Sequence, residues 1–280
     1  MNELLGHYTN LSSLESILQK IELKYGSFDR TNDPYENRNL EFTIRGGDSS
    51  IFIDDGQIRK PFKLLCFCIS NEIDFFYKRP RMWSQYADNH HGCCLILDKD
   101  KFDKKFTLLK ITKSKKSKSP VYYTLDKKEK EISVLCKILS DLFQGNDSDI
   151  KKITDYLYKA KRLFLYSKMQ DWKQEKEYRY CIYTDNDHYH DHDIFIDISD
   201  SLREIILGEK VSPLYQEMLY KWGKERNIQV SYIWWENGFP NKILLNADYY
   251  KTLREIEKYK IQALIPQIPY VRSKKGQPQT

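Results

Sequence analysis

The chain has 280 residues, a formal net charge of +6, and 40% hydrophobic against 31% charged residues. That length can bury a substantial core, and this balance of apolar and charged residues excludes a disordered chain. No apolar run reaches transmembrane length, and the start Met1-Asn2-Glu3-Leu4-Leu5-Gly6 lacks the basic residues and apolar core of a signal peptide, so a cytoplasmic protein with no membrane partner is expected.

The modest positive charge permits contact with a nucleotide or nucleic acid without demanding it. Six cysteines fit the same compartment. Cys66 and Cys68 alternate on a strand, adjacent Cys93 and Cys94 must point to opposite faces of theirs, and no pair has zinc-ribbon or redox spacing.

In chain order, Leu4–Thr9 reads as a first strand ending in His7-Tyr8-Thr9. Ser12 and Glu15 suggest a capping box for a helix with Leu14, Ile17, Leu18 and Ile21 on one face. Asn32-Asp33-Pro34-Tyr35-Glu36 is a turn, and the Gly46–Ser50 and Asp54–Gly56 loops flank a weak hairpin. Leu64–Ser70 is a buried strand. The stretch Arg81–Leu97 reads as an aromatic helix through Trp83, Tyr86, Ala87 and His90, a stop at a left-handed Gly92, and a strand from Cys93. Lys99–Lys118 is expected to be solvated strand and loop.

Val121–Tyr123 is a short strand, Glu131–Leu142 an amphipathic helix, and a longer helix is capped at Ser148 or Asp149. Strands follow at Tyr178–Thr184, Ile194–Ile196 and Glu204–Leu207, then a helix from Ser212 to about Arg226, a strand at Ile228–Ile233, and a helical stretch from Asn246 to Tyr259. The order is mixed, with no strict strand–helix alternation. The expected fold is α+β: a mixed, mainly antiparallel sheet core with helices packed around it. One domain over residues 1–260, a helical insertion near 131–168 and a mobile tail over 261–280 are expected.

Four groups could carry chemistry. Glu175-x-Glu177-x-Arg179, if extended, puts three side chains on one face, where Arg179 can stabilise one carboxylate and the pair can steady an oxocarbenium-like carbon. Standing alone, the same pattern also suits a surface ion pair on an exposed strand edge. His7, Tyr8 and Thr9 at a strand end could orient a ribose or an amide. His188-x-His190-x-His192 sits in a polar turn and is read as a solvated loop, so no metal is placed there. Asn32, Asp33 and Glu36 near His7 could hold magnesium for nuclease work, although turn chemistry already accounts for Asn32 and Asp33.

Several segments together resemble the prokaryotic domain of unknown function 2971 family over roughly residues 4–235. They are the early Tyr8-Thr9 followed by a capped helix, Asn32-Asp33-Pro34-Tyr35-Glu36, Cys66-Phe67-Cys68-Ile69-Ser70, Met82-Trp83-Ser84-Gln85-Tyr86-Ala87-Asp88-Asn89-His90-His91-Gly92, Val121-Tyr122-Tyr123, Trp172-x-x-Glu175-x-Glu177-Tyr178-Arg179 and Ile205-Ile206-Leu207-Gly208. A three-point pattern of His7, then Ser70 or Tyr86, then Glu177 also resembles the ADP-ribosyltransferase superfamily. That resemblance implies NAD as substrate and no metal. His7 would contact the nicotinamide-side ribose, and Glu177 would hold the ribose and stabilise the transition state. Glu175 would position or activate an acceptor. Tyr8, Trp83 or Tyr86 would stack on nicotinamide, with Thr9, Ser70 and Arg179 completing the binding groups. The acceptor would be a protein or nucleic acid, and a toxin or a component of a multi-protein phage-defence system would be the setting. A metal-dependent nuclease and a non-enzymatic module binding a nucleotide or a partner are the alternatives. The NAD reading turns on whether His7, Trp83, Tyr86 and Glu177 converge on one pocket; separation of His7 and Glu177 onto opposite faces would overturn it.

Overall fold

A computed structural model describes residues 3–28, 31, 33, 42–43, 50–51, 58–124, 137–138, 147–184, 192–252 and 254–255. Asn32, the Pro34–Glu36 turn, the Gly46–Asp48 and Asp54–Gly56 loops, most of the Glu131–Leu142 helix, His188, His190 and the C-terminal tail lie outside these residues.

The elements are β1 (Leu4–Thr9), α1 (Leu11–Lys20), β2 (Glu22–Lys24), β3 (Gly26–Ser27), β4 (Phe42–Thr43), β5 (Ser50–Ile51), β6 (Phe62–Ser70), α2 (Asp74–Tyr77), α3 (Pro80–Tyr86), β7 (Cys93–Asp98), α4 (Lys99–Leu108), β8 (Ser114–Pro120), β9 (Tyr122–Thr124), α5 (Asp147–Lys159), α6 (Lys161–Phe164), β10 (Ser167–Met169), a 3₁₀ turn (Gln170–Glu175), β11 (Glu177–Thr184), β12 (Phe195–Asp197), β13 (Leu202–Leu207), α7 (Pro213–Arg226), β14 (Gln229–Glu236) and β15 (Phe239–Leu244).

A nine-stranded sheet runs β15-β14-β13-β7-β1-β6-β11-β8, with β3 added against β6. Only β13 and β14 pair in parallel, across α7; the other pairs in this sheet are antiparallel. The fold is α+β, with a mixed, mainly antiparallel sheet.

Strand alternation divides the core. Leu5, Leu95, Leu97, Phe67, Tyr180 and Ile205 pack with α1, α4 and α7 on one face. Tyr8, Cys68, Cys94, Ile96 and Ile206 pack under α2 and α3 on the other. Adjacent Cys93 and Cys94 do fall in different clusters. The five described cysteines are free thiols.

Several local expectations are corrected. The α1 cap is Asn10, whose Oδ1 accepts from the Ser13 N–H at 2.7 Å, so the helix starts one residue ahead of the Ser12–Glu15 pair. The Lys99–Lys118 segment holds α4. Asp98 caps it, Phe102 and Phe106 bury one face, and the Lys116 ammonium donates to the carbonyls of Phe106, Thr107 and Leu109 at its C-terminal end. Two aromatics four residues apart among lysines are enough to anchor a helix, and the lysine count hides them.

The aromatic helix α3 ends at Tyr86, before His90. Asp88, Asn89 and His90 then take left-handed φ values of 47°, 49° and 72°. Those are residue types that tolerate this region. Gly92 is needed for a different reason from the expected left-handed stop. A Cβ there would lie 2.2 Å from the Thr9 carbonyl oxygen, and a Cβ on Gly208 would lie 2.1 Å from that of His90. Both glycines let backbone meet backbone where the loop crosses β1 and β13. Gly92→Ala is expected to cost about 1–3 kcal/mol, because neither neighbour is a side chain that can rotate away. A thermal midpoint equal to wild type would show that the loop relaxes instead.

Candidate functional site

The site begins where the sheet forks. β1 pairs with β6 only at Cys68–Ser70, opposite Leu4–Gly6. On the same edge, β3 pairs with Lys63–Leu64. Between these pairings, no described strand covers residues 65–67 on that side. Continuing the register would set Tyr8 opposite Cys66. Instead the His7 imidazole fills the gap, its Nδ1 lying 3.1 Å from the Cys66 carbonyl oxygen. A carbonyl only accepts, so Nδ1 carries the proton. Burial pushes the His7 pKa down, against the opposing pull of that hydrogen bond, so the ring is neutral and Nε2 keeps its lone pair.

The fork opens a cavity of about 320 Å³ lined by Gly6–Tyr8, Lys24, Gly26, Ser27, Thr31, Leu64–Cys68, Met82, Tyr86, Lys168, Glu175, Glu177 and Arg179. This volume lies at the lower end of the range for small-molecule pockets.

One wall is a buried charge cluster. Arg179 grips Glu177 with both arms of its guanidinium, Nε to Oε1 at 2.7 Å and Nη2 to Oε2 at 3.1 Å, and Nη1 donates to the Leu165 carbonyl at 2.7 Å. Lys168 on β10 bridges the two carboxylates, 3.0 Å from Glu175 and 2.9 Å from Glu177. The Tyr86 hydroxyl donates to Glu175 Oε1 at 2.7 Å, and the Glu177 N–H donates to the Tyr123 hydroxyl at 2.8 Å. Glu175, Glu177, Lys168 and Arg179 are all buried.

The expected Glu-x-Glu-x-Arg face is therefore reached by another path. Glu175 closes the 3₁₀ turn, Lys176 is left-handed with φ 45°, and only Glu177 and Arg179 lie on β11. The ion pair is buried, and no exposed strand edge is involved, because β8 covers β11 on its outer side.

The two carboxylates are pushed apart. Burial raises the Glu175 pKa, with Lys168 opposing it. Burial would raise that of Glu177 too, but the Arg179 and Lys168 charges outweigh it and hold the group at about 2. Burial also keeps Cys66 and Cys68 as neutral thiols, so neither is a ready nucleophile.

Of the residues singled out in the sequence, His7, Tyr8, Tyr86, Glu175, Glu177 and Arg179 line the cavity. Trp83, Thr9 and Ser70 do not. Trp83 is fully buried, donates from Nε1 to the Phe76 carbonyl at 3.1 Å, and meets Tyr8 edge to face at 5.3 Å. It is core behind the wall, where Met82 and Tyr86 line the cavity. Tyr8 donates to that same Phe76 oxygen at 2.6 Å. Ser70 accepts from the Glu72 N–H at 3.1 Å, and Thr9 stands opposite Cys93.

His7 and Glu177 approach the cavity from opposite sheet faces. His7 stands opposite Leu95, while Glu177 shares a row with Cys68 and Gly6. They meet at one cavity because the sheet is open between them. Asp33 is buried, and Glu36 lies outside the described residues. Among the described residues, no group of three or more His, Cys, Asp or Glu side chains is placed to hold a metal ion.

Lys168, Tyr123, Lys24 and Thr31 were not foreseen. Lys168 had one available signal, a lysine within the apolar run Phe164–Met169.

Residues 82–180 match a known family, DUF2971, described as protein of unknown function. The DUF2971 segment runs from Met82 in α3 to Tyr180 in β11, so it holds Tyr86, Lys168, Glu175, Glu177 and Arg179, while His7 and Lys24 come from outside it. No curated protein and no solved structure matches the chain. No helix among the described residues is long and apolar enough to cross a membrane.

Proposed function

We propose that the cavity binds a nucleotide of the NAD type and that the chain cleaves it, or transfers its ADP-ribosyl group to an acceptor, at the ribose anomeric carbon. One observation carries this reading: two neighbouring carboxylates in one cavity have their pKa values driven in opposite directions. Such a split assigns one group to proton transfer and the other to fixed charge.

The roles differ from those the three-point pattern implies. Every oxygen of Glu177 is held by Arg179 and Lys168, so it supplies constant negative charge and orients Lys168. Glu175, whose partners among the described residues are Tyr86 and Lys168, is the acid–base group. His7, from the opposite face, offers Nε2 as an acceptor for a ribose hydroxyl or an amide. That placement removes the same-face His7–Glu177 clamp and leaves Glu175 as the group that acts on the ribose. Unrestrained NAD cleavage harms the cell that carries it, which would suit a toxin or defence role.

The test is release of nicotinamide from NAD by purified protein, alone and with a cell extract as a source of protein and nucleic-acid acceptors. Nicotinamide is expected to accumulate. Intact NAD, together with no heat of binding, would overturn the reading. Binding without turnover would support a second reading, a non-enzymatic nucleotide-binding module, which is favoured by the fact that both carboxylates already have protein partners.

A further inference from the structure

We infer that the cavity has a separate anion subsite at its Lys24 end, which takes a phosphate of the same ligand whose sugar lies against Glu175; the substrate class is a phosphorylated riboside and not a free nucleoside. The inference rests on the nucleotide reading above.

The cavity is polarised across β6. Glu177 and Arg179 stand on β11 along one edge of β6, and Gly26 and Ser27, which follow Lys24, stand on β3 along the other. At about 4.8 Å between neighbouring strands, the two sides are roughly 10 Å apart.

The chemistry at the two ends is opposite. Among the described lining residues both acids, Glu175 and Glu177, sit at the β11 end. The other end offers an ammonium (Lys24), two hydroxyls (Ser27 and Thr31) and Gly26, where no side chain keeps a ligand from the backbone. Among the described residues the lining holds three cations against two carboxylates, and Lys168 and Arg179 are committed to those carboxylates. The third of these cations is Lys24, and a cavity focuses the field of such a charge onto an anion.

Lys24 pairs with Asp193 at 2.7 Å, outside the lining, and both side chains are about half exposed at 54% and 51%. An exposed pair of this kind is weak, so a phosphate can displace the Asp193 carboxylate. Asp193 then acts as a competitor for the subsite.

Calorimetry with nicotinamide mononucleotide and nicotinamide riboside, which differ by one phosphate, tests this on the full chain. Wild type is expected to bind the mononucleotide more tightly than the riboside. Lys24→Ala should weaken mononucleotide binding by roughly ten- to a hundred-fold, the worth of a charge-assisted hydrogen bond, and leave riboside binding unchanged. Asp193→Asn should move mononucleotide affinity the opposite way, tightening it. Equal wild-type affinity for the two ligands, or no response to Lys24→Ala, would overturn the subsite while the nucleotide reading stands. Failure of wild type to bind either ligand would overturn both.

Discussion

Replacing Glu177 by Gln is expected to lower the free energy of unfolding by about 3–5 kcal/mol at neutral pH. The Arg179 side chain is 1% exposed, and its partner is the Glu177 carboxylate. An amide of the same shape removes the negative charge that faces that guanidinium and the Lys168 ammonium, both of them buried. The pH dependence has a definite sign. The folded-state pKa of Glu177, about 2, lies below the ordinary glutamate value of about 4.3. Its contribution is therefore fully present above the unfolded value and disappears as pH falls through the folded one. Urea denaturation should show the gap between wild type and Glu177→Gln closing between about pH 5 and pH 2. A variant as stable as wild type at pH 7 would mean that the cluster rearranges around the amide, and Glu177 would lose its role as the fixed charge.

Glu175→Gln is expected to leave the fold close to intact and to lower turnover by about 10²–10⁴-fold, the range for a lost general acid or base. The amide resembles the protonated state that burial already favours at this position. Because the Glu175 pKa is raised, its protonated form persists to higher pH than that of a solvated glutamate. If it donates the proton, the rate falls as pH rises through that value, and Glu175→Gln abolishes this limb. The Tyr86 hydroxyl lowers the Glu175 pKa by hydrogen bonding to the carboxylate. Tyr86→Phe should therefore move the limb to higher pH while retaining measurable rate. A pH–rate profile that neither variant alters would remove Glu175 from the chemistry.

The contrast between these two glutamates shows which parts of the molecule could be read from local pattern. β1, β6 and β7 were visible as apolar runs, and α1 and α7 as periodic or capped segments, because burial of one face leaves a repeat of two or 3.6 residues in the chain. α4 was not visible, since two phenylalanines among lysines carry a weak repeat. The proximity of Glu175, Glu177 and Arg179 was legible from their spacing. Their burial was not, since a carboxylate on a covered strand and one on an exposed edge are written alike.

The sequence by itself determined the fold class, the two carboxylates with their arginine, and the family signature around Trp83 and Tyr86. Only the tertiary structure decided that Trp83 is core while Tyr86 lines the cavity, that Lys168 joins the carboxylates from another strand, and that His7 comes from the opposite side. The physical reason is the fork in β6. Which strand covers which half of an edge depends on backbone pairing between segments far apart in the chain, here two residues of β3 against Lys63–Leu64 and three of β1 against Cys68–Ser70. Backbone hydrogen bonds carry no side-chain signature, so the gap that becomes the cavity leaves no mark in the residues that border it.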